Sequence, residues 1–251
     1  MTEMMPKHEG GESPRLYRHT EVVSLQRHGD LGLVAQGSFD FARKIVSVPA
    51  SLSEMVLCQR HYPIVFAGPD APRPIIVLGL AENEGNLFVT EKGAWAQNLY
   101  VPAFLRRYPF VAVPNGPERL ALAADMESDL IEQGGARPLF EDGKPSDMAH
   151  RAFDFCARLD ADFSAAQEFA AALAEAGLLR EEHATIKSSG AVRARLANFQ
   201  IVDETLLDEL SDDTFLEWRR RGWLAPIHAH LMSVSSWSEL VHRQAALSAD
   251  A

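Results

Sequence analysis

The rhythm of apolar positions changes near the middle of the chain. Between about residues 21 and 137 they fall into short runs rich in Val, Ile and Phe, each closed by Gly, Pro, Asn or Asp: 21–25, 38–48, 63–67, 75–80, 86–89, 110–113 and 119–123. Runs of that length and bounding predict short strands. The connections, such as Glu91-Lys92-Gly93, are too short for parallel crossovers, so antiparallel pairing is expected. Residues 102–107 suit one or two helical turns, with Pro102 at the start, where a missing N–H costs least.

Past residue 146 the period lengthens. Ser146 is a candidate N-cap with Asp147 in the first turn. Ala152, Phe155, Leu159, Phe163, Ala166, Phe169 and Leu173 then recur in steps of three and four, which is one face of a helix. Residues 160–162 are a candidate break in it, and Gly177-Leu178 suits a Schellman-type stop. Residues 198–202 can return to the sheet. Asp203 and Ser211 look like caps of two short helices carrying Leu206, Leu207, Leu210, Phe215 and Leu216, and a last helix is expected over about residues 235–244. The pattern predicts an α+β fold: an antiparallel, β-rich N-terminal half (about 16–140) with a helical C-terminal half (about 146–245) packed on it. Residues 16–251 are expected to form a single domain behind a disordered tail at 1–15, where Lys, Glu, Gly, Ser and Pro dominate.

Composition narrows the functional classes. With 24 basic and 35 acidic residues, the net charge of −11 opposes general binding to nucleic acid or to anionic membranes. The longest apolar runs fall short of the roughly 18–20 residues that a membrane helix needs, and residues 1–14 hold no apolar core of a secretory signal. A cytoplasmic protein without membrane insertion is therefore expected. The two cysteines, Cys58 and Cys156, sit in apolar or helical surroundings and read as free, buried thiols. No Gly-x-Gly-x-x-Gly after a strand, no Walker-type loop and no Gly-x-Ser-x-Gly elbow is present, which argues against nucleotide-dependent and α/β-hydrolase chemistry.

Among polar residues, Arg106-Arg107 is the first binding candidate, because a guanidinium offers paired planar donors to a carboxylate or phosphate. Consecutive helical residues point about 100° apart, so one arginine can reach a ligand while its neighbour meets a buried acid, Glu54 being the expected partner. Trp95 and Tyr108, with Tyr100, offer an aromatic platform for a ligand, or alternatively bury against the sheet with their polar tips satisfied. His228 and His230 would share a face if their segment were a strand. With His28 and Glu54 they would then make a divalent-metal site, an idea that fails if the segment is helical. Arg219-Arg220-Arg221 suits a solvated last helical turn.

Four linked phrases carry a family resemblance: Tyr62-Pro63-Ile64-Val65-Phe66, Leu78-Gly79-Leu80, Asn86-Leu87-Phe88-Val89, and Tyr100 through Phe110 with the paired arginine inside it. With His28, Val48-Pro49, Glu54, Gly93-Ala94-Trp95 and the closing His230-Leu231-Met232-Ser233, the chain resembles the SapC family, named after a gene associated with bacterial surface layers. The likeness runs from about residue 25 to 242, departing at His228, where an aromatic or aliphatic residue is usual, and between 181 and 195. The resemblance implies no assigned reaction or catalytic residue. It implies a surface-layer role by name, and by gene neighbourhood an accessory role in nutrient handling or peptide modification. The leading expectation is a SapC-like accessory protein binding a peptide, protein or small anionic ligand through Arg106, Arg107, Trp95 and Tyr108, with no cofactor. The alternatives are a metal-dependent, oxygenase-like or peptide-modifying enzyme using His28, Glu54, His228 and His230, and a surface-layer assembly component.

Overall fold

A 29-residue helix, Asp147–Glu175, runs unbroken through the acidic stretch at 160–162 and organises the fold. The computed structural model describes residues 16–81, 85–117, 119–188 and 191–249. Before the long helix come strands β1 (Thr20–Val22), β2 (Leu31–Leu33), β3 (Ser47–Pro49), β4 (Ile64–Ala67), β5 (Arg73–Val77), β6 (Phe110–Pro114), β7 (Leu120–Asp125), β8 (Ile131–Gln133), β9 (Arg137–Pro138), β10 (Phe140–Glu141) and β11 (Lys144–Pro145). One-turn helices α1 (Leu25–His28), α2 (Met55–Cys58) and α3 (Ala103–Arg106) punctuate them. After the long helix, α4, come β12 (Leu179–Ser188), β13 (Ala191–Val202), α5 (Glu204–Asp208), α6 (Asp212–Arg221), α7 (Leu224–Ser233) and α8 (Trp237–Ala249).

Among the described residues every strand pairing is antiparallel, and the fold is α+β as the two textures predict. The largest sheet has five strands in the order β12-β13-β4-β5-β3, so the last two strands of the chain join the sheet begun by the first half. Phe199 of β13 faces Ala67 of β4, and Ile64 of β4 faces Ile76 of β5. Two three-stranded sheets, β1-β7-β6 and β8-β2-β9, and the β10–β11 hairpin complete the set.

The helix ends follow local chemistry. Ser146 Oγ accepts from Ala149 N–H at 3.2 Å, satisfying one of the free donors of the first turn. At the far end Gly177 adopts φ 70°, and Leu178 N–H reaches back to the Leu173 carbonyl at 3.0 Å, which is the Schellman closure. Between these caps α4 serves two cores. Cys156, Met148 and Ala152 pack with Phe110, Ala112, Ala124 and Leu139. Phe169, Ala170 and Leu173 join the larger core with Tyr62, Phe66, Phe88 and Ile227. Both cysteines are buried and free.

Several expected elements differ. Residues 38–48 form a strand only from Ser47; Asp40–Ala42 is a 3-10 turn. The aromatic residues that suggested a strand there serve ring packing, Phe39 lying 5.5 Å from Trp95 and Phe41 4.3 Å from Tyr108. Asn86–Val89 is a turn rather than a strand, with Asn86 Oδ1 accepting from Phe88 N–H at 2.9 Å. Gly93 turns the chain back at φ 73°, where a Cβ would meet the Asp40 carboxylate at 2.6 Å.

His230 ties three elements together from α7. Val202 N–H of β13 donates to its Nε2 at 3.0 Å, and its Nδ1–H donates to the Ile64 carbonyl of β4 at 2.8 Å. A backbone N–H can only donate and a carbonyl can only accept, so this pairing requires the neutral ring. Burial accordingly lowers its pKa from 6.5 to about 4, against the raising effect of the Ile64 carbonyl. The unfolded ring takes up a proton near 6.5 and the folded ring only near 4, so the stabilisation is complete above pH 6.5 and is lost as pH falls toward 4. The expected loss is about 3 kcal/mol. Denaturant titrations across pH 7.5 to 4 should show the stability gap between the native chain and His230→Gln narrowing over that window. A constant gap would rule out the neutral clamp.

Candidate functional site

The site is built from the turn before α2, the one-turn helix α3, and the face of α4 that looks toward them. Glu54 sets the first junction. Its buried carboxylate accepts from Ser51 N–H at 2.9 Å and from Ala103 N–H, at the start of α3, at 2.7 Å. Burial pushes the carboxyl above its ordinary pKa, against the lowering effect of these two N–H groups and of Arg106. A second junction joins the same turn to α4: Asp162 accepts from Ser53 N–H at 3.1 Å and from Ser53 Oγ–H at 2.6 Å.

The paired arginine then divides its work, as the angular offset of neighbouring helical residues requires. Arg107 turns inward. It pairs with Asp160 of α4 at 2.8 Å and lies over the rings of Phe104 at 4.7 Å and Phe163 at 5.6 Å. Arg106 turns outward. Its Nε donates to the Val101 carbonyl at 3.0 Å and its Nη2 to the Tyr100 hydroxyl at 2.7 Å. Its guanidinium lies 5.1 Å from the Tyr100 ring centre and 5.3 Å from that of Phe155, a helix face away on α4. Neither arginine pairs with Glu54, the expected partner; that carboxylate is committed to backbone N–H groups.

Two clefts meet at Arg106 and Phe155, which line both. One, of about 520 Å³, is bordered by Ser53, Glu54, Tyr100, Arg158 and Asp162. The other, of about 550 Å³, has apolar walls from Leu33, Phe39, Phe41, Phe110, Leu130 and Met148, with Arg137 and Arg151 beside them. Arg151, Phe155 and Arg158 fall at steps of four and three on α4 and so share one side of it. Arg151 and Arg158 are exposed, and among the described residues neither has an ion-pair partner. On a chain of net charge −11 this is a local concentration of positive charge beside apolar surface.

The other sequence candidates lie elsewhere. Trp95 is buried in the larger core, stacked on Phe88, with its Nε1–H donating to Tyr62 Oη at 3.1 Å; Tyr62 in turn donates to the Tyr100 carbonyl, so the core holds the backbone that presents Tyr100. Tyr108 lines the apolar cleft with its ring while its hydroxyl donates to Asp125 at 3.0 Å. His28 is buried, its Nδ1 accepting from Ser24 N–H at 3.1 Å. His228 and His230 lie on α7, a helix, where residues two apart point about 200° apart. His228 is exposed, and its Nδ1 bonds the Leu224 carbonyl at 2.6 Å. Among the described residues no group of three or more His, Cys, Asp or Glu is placed to hold a metal ion. Glu54 and Arg106 are thus brought to one cleft, and the histidines are not. Sequence reading placed Phe155 on the core face of α4 and passed over Arg151 and Arg158. Their spacing around Phe155 was the available signal.

Fold and cleft together define the class: an antiparallel α+β protein whose long helix presents arginines to a double cleft, with no helix among the described residues long and apolar enough to cross a membrane. The chain belongs to the SapC family, whose model matches residues 23–240. No curated protein and no solved structure shows a significant match.

Glu54 provides a direct check on how the site is held. Glu54→Ala removes the acceptor of two backbone N–H groups and should cost about 3 kcal/mol in chemical denaturation. Glu54→Gln keeps one acceptor oxygen and should cost about half as much. Equal stability of all three chains would show that the carboxylate does not hold α3 in place.

Proposed function

We propose that this chain is a non-enzymatic binding protein for a small organic anion, held in the double cleft between α3 and α4. One observation carries the reading: among the described residues Arg151 and Arg158 flank Phe155 without ion-pair partners, and Arg106 lies over the same ring, although the protein as a whole is strongly acidic. Arg107 and Arg221, by contrast, pair with the carboxylates of Asp160 and Glu168. Guanidinium groups beside apolar walls instead suit an anion whose remaining body is sheltered from water.

The polar residues that would serve catalysis are engaged in holding backbone. Glu54 bonds Ser51 and Ala103, and His230 bonds Ile64 and Val202. Binding is therefore the activity that this arrangement supports best. Fluorescence titration with the aromatic sulfonate 8-anilinonaphthalene-1-sulfonate should report a single saturable site, weakened by salt. Arg151→Gln should weaken it roughly tenfold, the value of one charge-assisted hydrogen bond, and Arg158→Gln should weaken it by less, as a charge at longer range. Affinity unaltered in both variants would place the anion elsewhere and defeat the proposal.

A further inference from the structure

We infer that the ligand is an amphipathic carboxylate, its apolar body lodged in the cleft beside the amino-terminal part of α4 and its head group held between Arg106 and Arg151. This inference rests on the anion-binding reading above and adds the chemical class of the ligand.

The two clefts are unlike in charge. The one bordered by Arg158 also contains the carboxylates of Glu54 and Asp162. The other is lined by Arg106, Arg137 and Arg151 and, among the described residues, by no Asp or Glu. Most of the remaining wall is apolar, from Leu33, Phe39, Phe41, Phe110, Leu130 and Met148, with Ser38 and Tyr108 beside them. At about 550 Å³ it falls within the roughly 300–1,000 Å³ of small-molecule sites.

Each part of that lining excludes a kind of ligand. A compact hydrophilic anion would pair with the arginines but leave six apolar side chains wet. A neutral apolar molecule would fill the space but cover guanidinium groups without pairing them, which is costly. A cation meets three positive charges and no negative one. Only a molecule with both an anionic end and an apolar body satisfies the whole surface.

The head group is placed by the donors that remain open. Arg106 has Nε and Nη2 bonded to Val101 and Tyr100, which fixes its plane; among the described residues Nη1 has no hydrogen-bond partner. Arg151 is exposed and has no ion-pair partner among the described residues, so its planar fork can turn onto a carboxylate at the mouth. Beyond Arg106 the carboxylates of Glu54 and Asp162 oppose a second negative group, so a single acidic head is preferred. Arg137 is tethered by its Nη2 to the Val34 carbonyl at 2.9 Å and borders the cleft as a fixed charge.

Isothermal titration calorimetry of the full chain with hexanoate, octanoate and decanoate tests the class. Decanol and decyltrimethylammonium serve as charge controls, citrate and inorganic phosphate as compact anions. Affinity should climb by up to about fourfold per added methylene. Decanol should bind at least roughly tenfold more weakly than decanoate, and Arg151→Gln should weaken decanoate by a similar factor. Met148→Glu, which puts a like charge among the apolar walls, should abolish decanoate binding while circular dichroism remains native. Affinity independent of chain length, decanol equal to decanoate, or citrate or phosphate equal to decanoate with the same dependence on Arg151 would overturn the amphipathic class and leave the anion site standing. Absence of binding by every anion would overturn both.

Discussion

A single rigid helix has to satisfy two hydrophobic cores at once. Near its start α4 buries Cys156 with Met148 and Ala152 against β6 and β7; near its end it buries Phe169, Ala170 and Leu173 against the five-stranded sheet. An α-helix of this length cannot rotate one half independently of the other, so its azimuth is fixed by packing at both ends. The side left toward the clefts is the one that carries Arg151, Phe155 and Arg158. The Arg107–Asp160 pair and the Phe104–Phe163 ring contact fix α3 against a different face of α4, about 100–200° around the helix from the arginines. Cleft geometry thus follows from core packing, and the exposed arginines project from a helix packed at both ends.

The same logic explains why buried polar groups here serve the fold. Asp125 accepts from Arg18 N–H at 3.0 Å, His19 N–H at 2.9 Å and the Tyr108 hydroxyl at 3.0 Å. Burial alone would raise its carboxyl, but the His19 and Arg18 amides and the Tyr108 hydroxyl outweigh that and hold it below its ordinary value. Glu54 and His230 are likewise bonded to main-chain groups of distant segments. Short strands and one-turn helices leave many backbone donors and acceptors without ladder partners, and these must be met by something other than water once buried. A fold assembled from such short pieces needs polar side chains as connectors, which makes a buried His or Glu in it a poor marker of chemistry.

How much of this was legible in the sequence depended on how local the cause was. The caps of α4 at Ser146 and Gly177, and those at Asp203 and Ser211, are satisfied within three or four residues and were readable from the chain. The β12–β13 hairpin was only half foreseen, at 198–202. Charged residues such as Glu181, Glu182 and Arg193 interrupt its apolar runs, and its antiparallel ladder is a backbone property that composition does not display. Helix α7 was hidden by Pro226, which reads as a breaker but sits in the first turn, where no intrahelical N–H bond is lost. Arg106 and Arg107 were found because they stand together. Which of them turns outward, and that it meets Phe155 and shares clefts with two further arginines of a helix some fifty residues on, is a tertiary fact with no local signature.

The central claim is that the exposed guanidinium groups around Phe155, rather than the buried His and Glu residues, meet the ligand. Arginine side-chain Nε–Hε resonances report it directly, since each guanidinium gives its own cross-peak in a nitrogen–proton correlation spectrum. On titration with decanoate the cross-peaks of Arg106 and Arg151 should shift together and saturate at one equivalent, while those of Arg219, Arg220 and Arg221 stay in place. Shifts confined to the Arg219–Arg221 turn, or spread evenly over all arginines without saturation, would contradict it.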